Sequence, residues 1–327
     1  MKAEASANWI SQLLGRDVRP APRTSPDEIP AARAFWDLSH LNRDLPVLAA
    51  VHERVILRSR GGEDLTAEVY VPEGRGPFPT LLYMHGGSWC LWSPAHVRKV
   101  AMRIAHQGYV VANLDYGLAP EHRFPWAVED AIHGARWLAR HAGRYGGRSD
   151  GLIIGGDSAG ANLAAAAIAA LGSRAAKAVD GGSLDDTAVT FGGALLLYGV
   201  FDFPLLFAEP GRNATTGVIE TTWNLAYLGP NFVGLHRNPL VSPIHAPNLA
   251  EFPPCYLCCG DRDALLPQSL AMAGALTRAG VPTTLSVVAG ADHEFLLMAD
   301  SMAAARKELE RIFDWLADIT GRSSEGG

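Results

Sequence analysis

The sequence predicts an α/β protein with one mostly parallel, eight-stranded sheet and helices on both faces. Three observations carry this expectation. From about residue 52 onward, strand-like apolar runs alternate with helix-like stretches, the pattern of a parallel sheet covered on both sides. The 327 residues, 48% apolar and 19% charged, have the composition of a folded globular protein and suffice for a sizeable core. Finally, the apolar run Gly151–Gly155 leads into Gly156-Asp157-Ser158-Ala159-Gly160 and then directly into an Ala-rich stretch, so a strand, a sharp turn and a helix follow one another without a gap.

The strands are expected at Glu53–Leu57, Ala67–Val71, Thr80–Met84, Tyr109–Leu114, Leu152–Gly155, Ala194–Tyr198, Cys255–Cys259 and Thr284–Val288. Helices are expected near 94–107, 126–141, 159–171, 267–279 and 299–318. No helix separates the first two strands, which therefore read as an antiparallel edge pair. Arg136, Arg140, Arg144 and Arg148 recur every four residues and read as one solvated helix face that runs on into a loop. Two stretches break the alternation. Residues 1–45 carry Trp9, Ile10, Leu13 and Leu14 at helical spacing, then Phe35, Trp36, Leu38 and Leu41. Residues 202–238 carry Phe203, Phe207, Trp223, Tyr227 and Phe232, just after Phe201. Both have enough apolar residues to pack, and together they read as a cap over the C-terminal edge of the sheet, where open α/β sheets bind ligands. The catalytic domain is then 46–201 with 239–327. The tail Gly321–Gly327 reads as frayed.

The G-x-S-x-G turn exposes Ser158 at its tip, and the glycines permit the sharp bend. A serine hydroxyl is a weak nucleophile until a base can take its proton and N–H groups can hold the developing oxyanion. The strand Thr80–Met84 ends in His85-Gly86-Gly87-Ser88-Trp89, and glycines there let backbone N–H groups face a ligand. The expected oxyanion donors are the N–H groups of Gly86, Gly87 and Ala159, with His85 bracing the loop rather than acting as base. The acid and base should follow in the order carboxylate, then histidine. After Cys255–Cys259 come Asp261 and Asp263, and after Thr284–Val288 comes His293. Asp263 lies further into its loop and is the preferred acid, with Asp261 as a turn former. Ser158, His293 and Asp263 are thus the expected catalytic residues.

Composition excludes several other classes. A formal charge of −6 leaves no basic footprint for nucleic acid or an anionic membrane. No apolar run is long enough to span a bilayer, and the first residues lack a secretory pattern, so a soluble cytoplasmic enzyme is expected. Cys255 and Cys258 resemble a metal or redox pair. On a strand, however, residues three apart face opposite sides, and no second Cys/His pair lies nearby, so they read as buried small hydrophobes. Neither a metal nor an organic cofactor is expected.

With these residues in place, the chain resembles the bacterial hormone-sensitive-lipase-like esterases of the α/β-hydrolase superfamily. The resemblance rests on His85-Gly86-Gly87, on Tyr116-Gly117-Leu118-Ala119-Pro120-Glu121 with Phe124-Pro125, on Gly156–Gly160 with Asn162-Leu163-Ala164, and on Asp263 with His293-Glu294-Phe295. Asn238–Pro243 looks like the segment where the family's cap returns to the core. The resemblance covers about residues 50–318 and implies an α/β-hydrolase fold, a triad acid at Asp263, a cap in the N-terminal region and at 202–238, and a homodimer through the edge strand near 284–288. Three departures stand out. Ser88 replaces a third glycine, Gly117 stands where arginine is frequent, and Glu294 stands where glycine is usual. A carboxylate at Glu294, beside the base, would raise the base's pKa or repel acidic substrates; the simpler reading, and the preferred one, points it to solvent.

The expected function is a serine carboxylesterase acting on a small-molecule ester with a short- to medium-chain or aromatic acyl group, through an acyl-enzyme. An arylformamidase or other amidase uses the same parts, and a non-catalytic receptor on this scaffold would lack a triad member. Trp89, Trp92, Trp223 and Tyr227 read equally as pocket walls or as core.

Overall fold

Each predicted run becomes a strand; the central runs, apolar on both faces, are covered on both, whereas the first and last lie at the sheet's edges and are largely exposed or half-buried. In the computed structural model, which describes residues 25–33, 41–172, 188–208, 222–230 and 232–322, the strands are β1 (Ala50–Arg60), β2 (Glu63–Val71), β3 (Thr80–Met84), β4 (Val110–Asp115), β5 (Leu152–Asp157), β6 (Phe191–Leu197), β7 (Cys255–Gly260) and β8 (Thr283–Val288). They form one eight-stranded sheet in the order β1-β2-β4-β3-β5-β6-β7-β8. β1 pairs antiparallel with β2, and β2 with β4; every pair from β4 to β8 is parallel. β1 and β2 are joined by Gly61-Gly62, both at positive φ, the two-residue turn whose twist suits a hairpin.

The helices are α1 (Ile29–Ala32), α2 (Pro94–His106), α3 (Trp126–His141), α4 (Ala159–Leu171), α5 (Phe203–Ala208), α6 (222–228), α7 (Leu266–Arg278) and α8 (Ala303–Thr320). Alternate strand residues feed two cores. Leu82, Leu114, Ile154, Leu196 and Leu257 pack with α3, α4 and α7 on one face. Leu81, Tyr83, Val111, Ile153, Leu195 and Cys258 pack with α2 and α8 on the other. Cys255 belongs to the first face and Cys258 to the second, and all four cysteines are free and buried.

Two expectations about elements need correction. Arg136 is not on a solvated face: α3 is wedged against the sheet and α4, which buries almost every position from Ala127 to Leu138, Arg136 among them; Arg140 and Arg144 are exposed. The last helix starts at Ala303, not 299. Phe295–Met298 form a 3-10 turn that buries Phe295 and Leu296, and Met302 is extended, which breaks the helical run.

Much of the expected cap, including Trp9, Ile10, Leu13, Leu14, Phe35, Trp36 and Leu38, lies outside the described residues, as do the last residues of the tail. The described parts dock on the sheet's active edge. Arg33, one residue beyond α1, donates to the carbonyls of Cys90 (2.9 Å) and Ala119 (3.0 Å) and pairs with both oxygens of Glu121 (2.9 and 2.8 Å). Trp89 stacks on Tyr227 of α6 with ring centroids 4.5 Å apart and planes 2° from parallel, and it lies 5.6 Å from Phe203 of α5. Trp89, Trp223 and Tyr227 are therefore packing residues that hold α5 and α6 to the loop after β3; Trp92 is half-buried.

Candidate active site

The site is assembled at the C-terminal ends of β3, β5, β7 and β8. β5 ends at Asp157 and α4 begins at Ala159, so Ser158 must reverse the chain in one residue, and its backbone (φ 51, ψ −114) lies outside the ordinary allowed regions. Neighbouring glycines permit that turn by close approach. A Cβ on Gly160 would lie 2.0 Å from the Met84 carbonyl oxygen, and one on Gly156 would lie 2.7 Å from the Gly160 carbonyl carbon. The Ser158 N–H donates to the Leu197 carbonyl at 2.9 Å, which ties the elbow to β6.

Ser158, His293 and Asp263 lie in one hydrogen-bonded line. The Ser158 Oγ is 2.9 Å from His293 Nε2, and His293 Nδ1 is 2.7 Å from Asp263 Oδ2. With Nδ1 donating to the carboxylate, Nε2 presents its lone pair to the serine hydroxyl, the arrangement a general base requires. Asp263 is held from three directions: Oδ1 accepts the Leu265 N–H at 2.7 Å, and Oδ2 accepts the Cys259 S–H at 3.4 Å as well as the His293 ring. Asp261 instead accepts the Gly290 N–H at 2.7 Å and joins the loop after β7 to the loop after β8, a link between loops rather than the local turn bond expected of it. Cys259 was not among the expected site residues; nothing in its spacing distinguishes it from the other buried thiols.

His85 is fully buried and neutral, its ring held down to about 3 by burial, so it cannot be the base. It stacks on Tyr116 at 4.3 Å, and its Nδ1–H donates to the Gly86 carbonyl at 2.8 Å. The Tyr116 hydroxyl donates to the His85 carbonyl at 2.9 Å. This bracing shapes a loop in which Gly87, Ser88 and Trp89 all have positive φ. Gly87 (φ +95) is required there, since a Cβ would meet the Leu91 carbonyl oxygen at 2.4 Å.

Gly86 departs from expectation. Its N–H donates to Asp157 Oδ2 at 2.8 Å, because the Asp157 carboxylate lies directly against the loop. The N–H groups of Gly87, Ser88 and Ala159 are left without a backbone acceptor among the described residues.

Glu294 departs further. It does not point to solvent: it is 1% exposed, and Oε1 lies 3.7 Å from His293 Nε2. Its backbone is left-handed (φ 59), a conformation that favours glycine and costs another residue roughly 1 kcal/mol. That conformation turns the side chain inward, where it hydrogen-bonds Asp157 and Tyr198. Tyr198 also meets the His293 ring edge-on at 5.3 Å. Burial, and then the facing Asp157 charge, push the Glu294 carboxyl well above the carboxylate range, and burial raises Asp157 to about 6. A sequence cannot show that residues 157 and 294 meet.

Gly117 donates its N–H to Asp130 at 2.8 Å, and Asp130 pairs with Arg58. These residues line a cavity of about 360 Å³ beside the β1–β2 hairpin, away from Ser158. Among the described residues, no group of acids, histidines and cysteines could hold a metal ion.

A nucleophile elbow on a parallel sheet, with a histidine and an aspartate brought in on the loops after its last two strands, defines a serine hydrolase. The model of a family described as "alpha/beta hydrolase fold" matches residues 81–297, and the chain belongs to that family, within its hormone-sensitive-lipase-like carboxylesterases. All four blocks of the resemblance fall inside the match. The chain is similar to carboxylesterase NlhH of Mycobacterium tuberculosis, 26% identical over 307 residues that make up 90% of this chain and 91% of the relative. It is also similar to esterase LipI of that organism, 27% identical over 71% of this chain and 70% of the relative. A hyperthermophilic esterase from the archaeon Pyrobaculum calidifontis superposes with a TM-score of 0.79 at 26% identity, over 97% of this chain and 98% of that one.

Proposed function

We propose that this carboxylic ester hydrolase works through an acyl-enzyme on Ser158. The observation that carries the reading is the hydrogen-bonded line from Ser158 Oγ through His293 to Asp263. His293 Nε2 takes the serine proton as Oγ attacks the ester carbonyl, and Asp263 holds the tautomer and stabilises the imidazolium. Gly87 and Ala159 N–H groups, joined by Ser88 in place of Gly86, receive the oxyanion; one such donor contributes roughly 3 kcal/mol in comparable sites. The alcohol leaves with the proton from His293, and water activated by the same ring releases the acid.

Residues 1–45 and 202–238 form the cap in this reading, supported by the docking of Arg33 and of the Trp89–Tyr227 stack beside the oxyanion loop. That aromatic packing, two residues beyond Gly87, supports a short- to medium-chain or aromatic acyl group. The free cysteines fit a cytoplasmic setting. The outer edge of β8, where Val287 is 44% exposed, suits pairing with a second copy.

Rates on p-nitrophenyl esters from acetate to decanoate, set beside an N-formylaniline, test the reading. The expected result is turnover that peaks at short or medium esters, exceeds that of the formamide and is lost in Ser158→Ala. Undiminished turnover in Ser158→Ala refutes the nucleophile, and faster formamide cleavage refutes the ester preference.

A further inference from the structure

The mechanism leaves one buried titratable pair unused. Asp157 and Glu294 are each 1% exposed, they face one another, and among the described residues no lysine or arginine pairs with either. Around them lie Tyr83 of β3, the Gly86 N–H, Tyr198 beyond β6, Cys258 of β7, Asp263 and His293. Two full negative charges in such a space are prohibitive, whereas a carboxylic acid hydrogen-bonded to a carboxylate is not. The donors decide which group keeps the proton. Asp157 receives the Gly86 N–H at 2.8 Å and a Tyr83 hydrogen bond, and is the better anion. Asp157 Oδ2 and Glu294 Oε1 meet at the loop, 2.5 and 2.7 Å from where a Cβ on Gly86 would stand, so the two carboxyls are close enough there to share that proton.

We propose that Glu294 is a positioning residue for ester hydrolysis. As a neutral carboxylic acid it donates a hydrogen bond to Asp157, holds that carboxylate as acceptor for the Gly86 N–H, and so fixes the oxyanion loop opposite Ser158. Neutrality matters twice, because the same carboxyl lies 3.7 Å from His293 Nε2. An anion there would hold the base in its protonated form. A residue that adopts a left-handed backbone in order to bury a carboxyl incurs two costs, and packing alone gives no reason for either. Loss of the shared proton would place two anions behind the oxyanion loop, so activity declines on the alkaline side.

The test is kcat and KM on p-nitrophenyl butyrate from about pH 5 to about pH 10 for the wild type, Glu294→Gln and Glu294→Gly. The Gln amide donates the same hydrogen bond and cannot ionise. Its activity at neutral pH should stay within about threefold of wild type, and its alkaline decline should vanish. Glycine relieves the left-handed backbone and should fold at least as well, yet kcat should fall about tenfold with KM little changed. Superposable wild-type and Gln profiles, or wild-type kcat in the Gly variant, overturn the proposal. It rests on Ser158 as nucleophile, and the two fail separately: an active Ser158→Ala refutes the nucleophile, whereas superposable profiles with an inactive Ser158→Ala refute only the role of Glu294.

Discussion

Asp263 shows how a single side chain is made fit for its task. One oxygen is held by the Leu265 N–H, so the other faces His293 in a fixed direction. Asp263→Asn should therefore lower kcat by about 10³- to 10⁴-fold, with the melting temperature shifted far less than that loss of activity would suggest, because the amide offers the wrong hydrogen-bond pattern to Nδ1. Glu294 makes a separate prediction about stability. Its carboxyl is raised on folding, so the native state holds a proton that the unfolded chain releases above its ordinary range near 4.5. Stability contributed by that proton is present at low pH and is lost as pH rises. Melting temperature followed against pH should fall more steeply toward alkaline pH in the wild type than in Glu294→Gln; parallel curves would contradict the shared proton. Ser158, Asp263 and His293 were legible as residues because each stands just past an apolar run, in the chain order the elbow requires. The Gly86–Asp157–Glu294 contact was not legible. It depends on a left-handed φ at one position and on two carboxyls 137 positions apart meeting at one loop.

At the scale of elements, the elbow is a contact between β3, β5 and α4 that tolerates no Cβ. Gly160→Ala would press a methyl group against the Met84 carbonyl oxygen, a backbone atom with little room to retreat. It should destabilise the fold by about 2–3 kcal/mol, read by urea denaturation, and reduce activity with it. The cap contact is softer. Tyr227→Ala removes the ring stacked on Trp89 and leaves a cavity beside the oxyanion loop, which should cost about 3 kcal/mol and shift the acyl-length optimum upward. An unchanged chain-length profile would separate α6 from specificity. The eight strands were readable as strand-like runs, β3 to β7 most plainly, because buried parallel strands appear as continuous apolar runs. Their ends were less so: β1 extends to Arg60 and β2 starts at Glu63 because hairpin pairing, not burial, sets those limits. Arg136 was misread because a four-residue spacing identifies a helix face without saying what covers it.

For the molecule as a whole, two faces of the sheet are covered and two edges remain. β1 ends one edge and β8 the other. If β8 pairs with a second copy, the protein should elute as a dimer, and a lysine at Val287 should return it to a monomer while the triad geometry, set by the loops, keeps its activity. A wild-type monomer across the accessible concentration range would contradict the pairing. No helix among the described residues is long and apolar enough to cross a membrane.

The central claim is that Ser158 is acylated during ester hydrolysis. Mass spectrometry of protein quenched in acid during steady turnover of p-nitrophenyl butyrate tests it most directly. The expected spectrum carries one butyryl group on the peptide containing Ser158, and that adduct disappears when substrate is exhausted. Turnover without any adduct on that peptide, or an adduct that persists in Ser158→Ala, would contradict it.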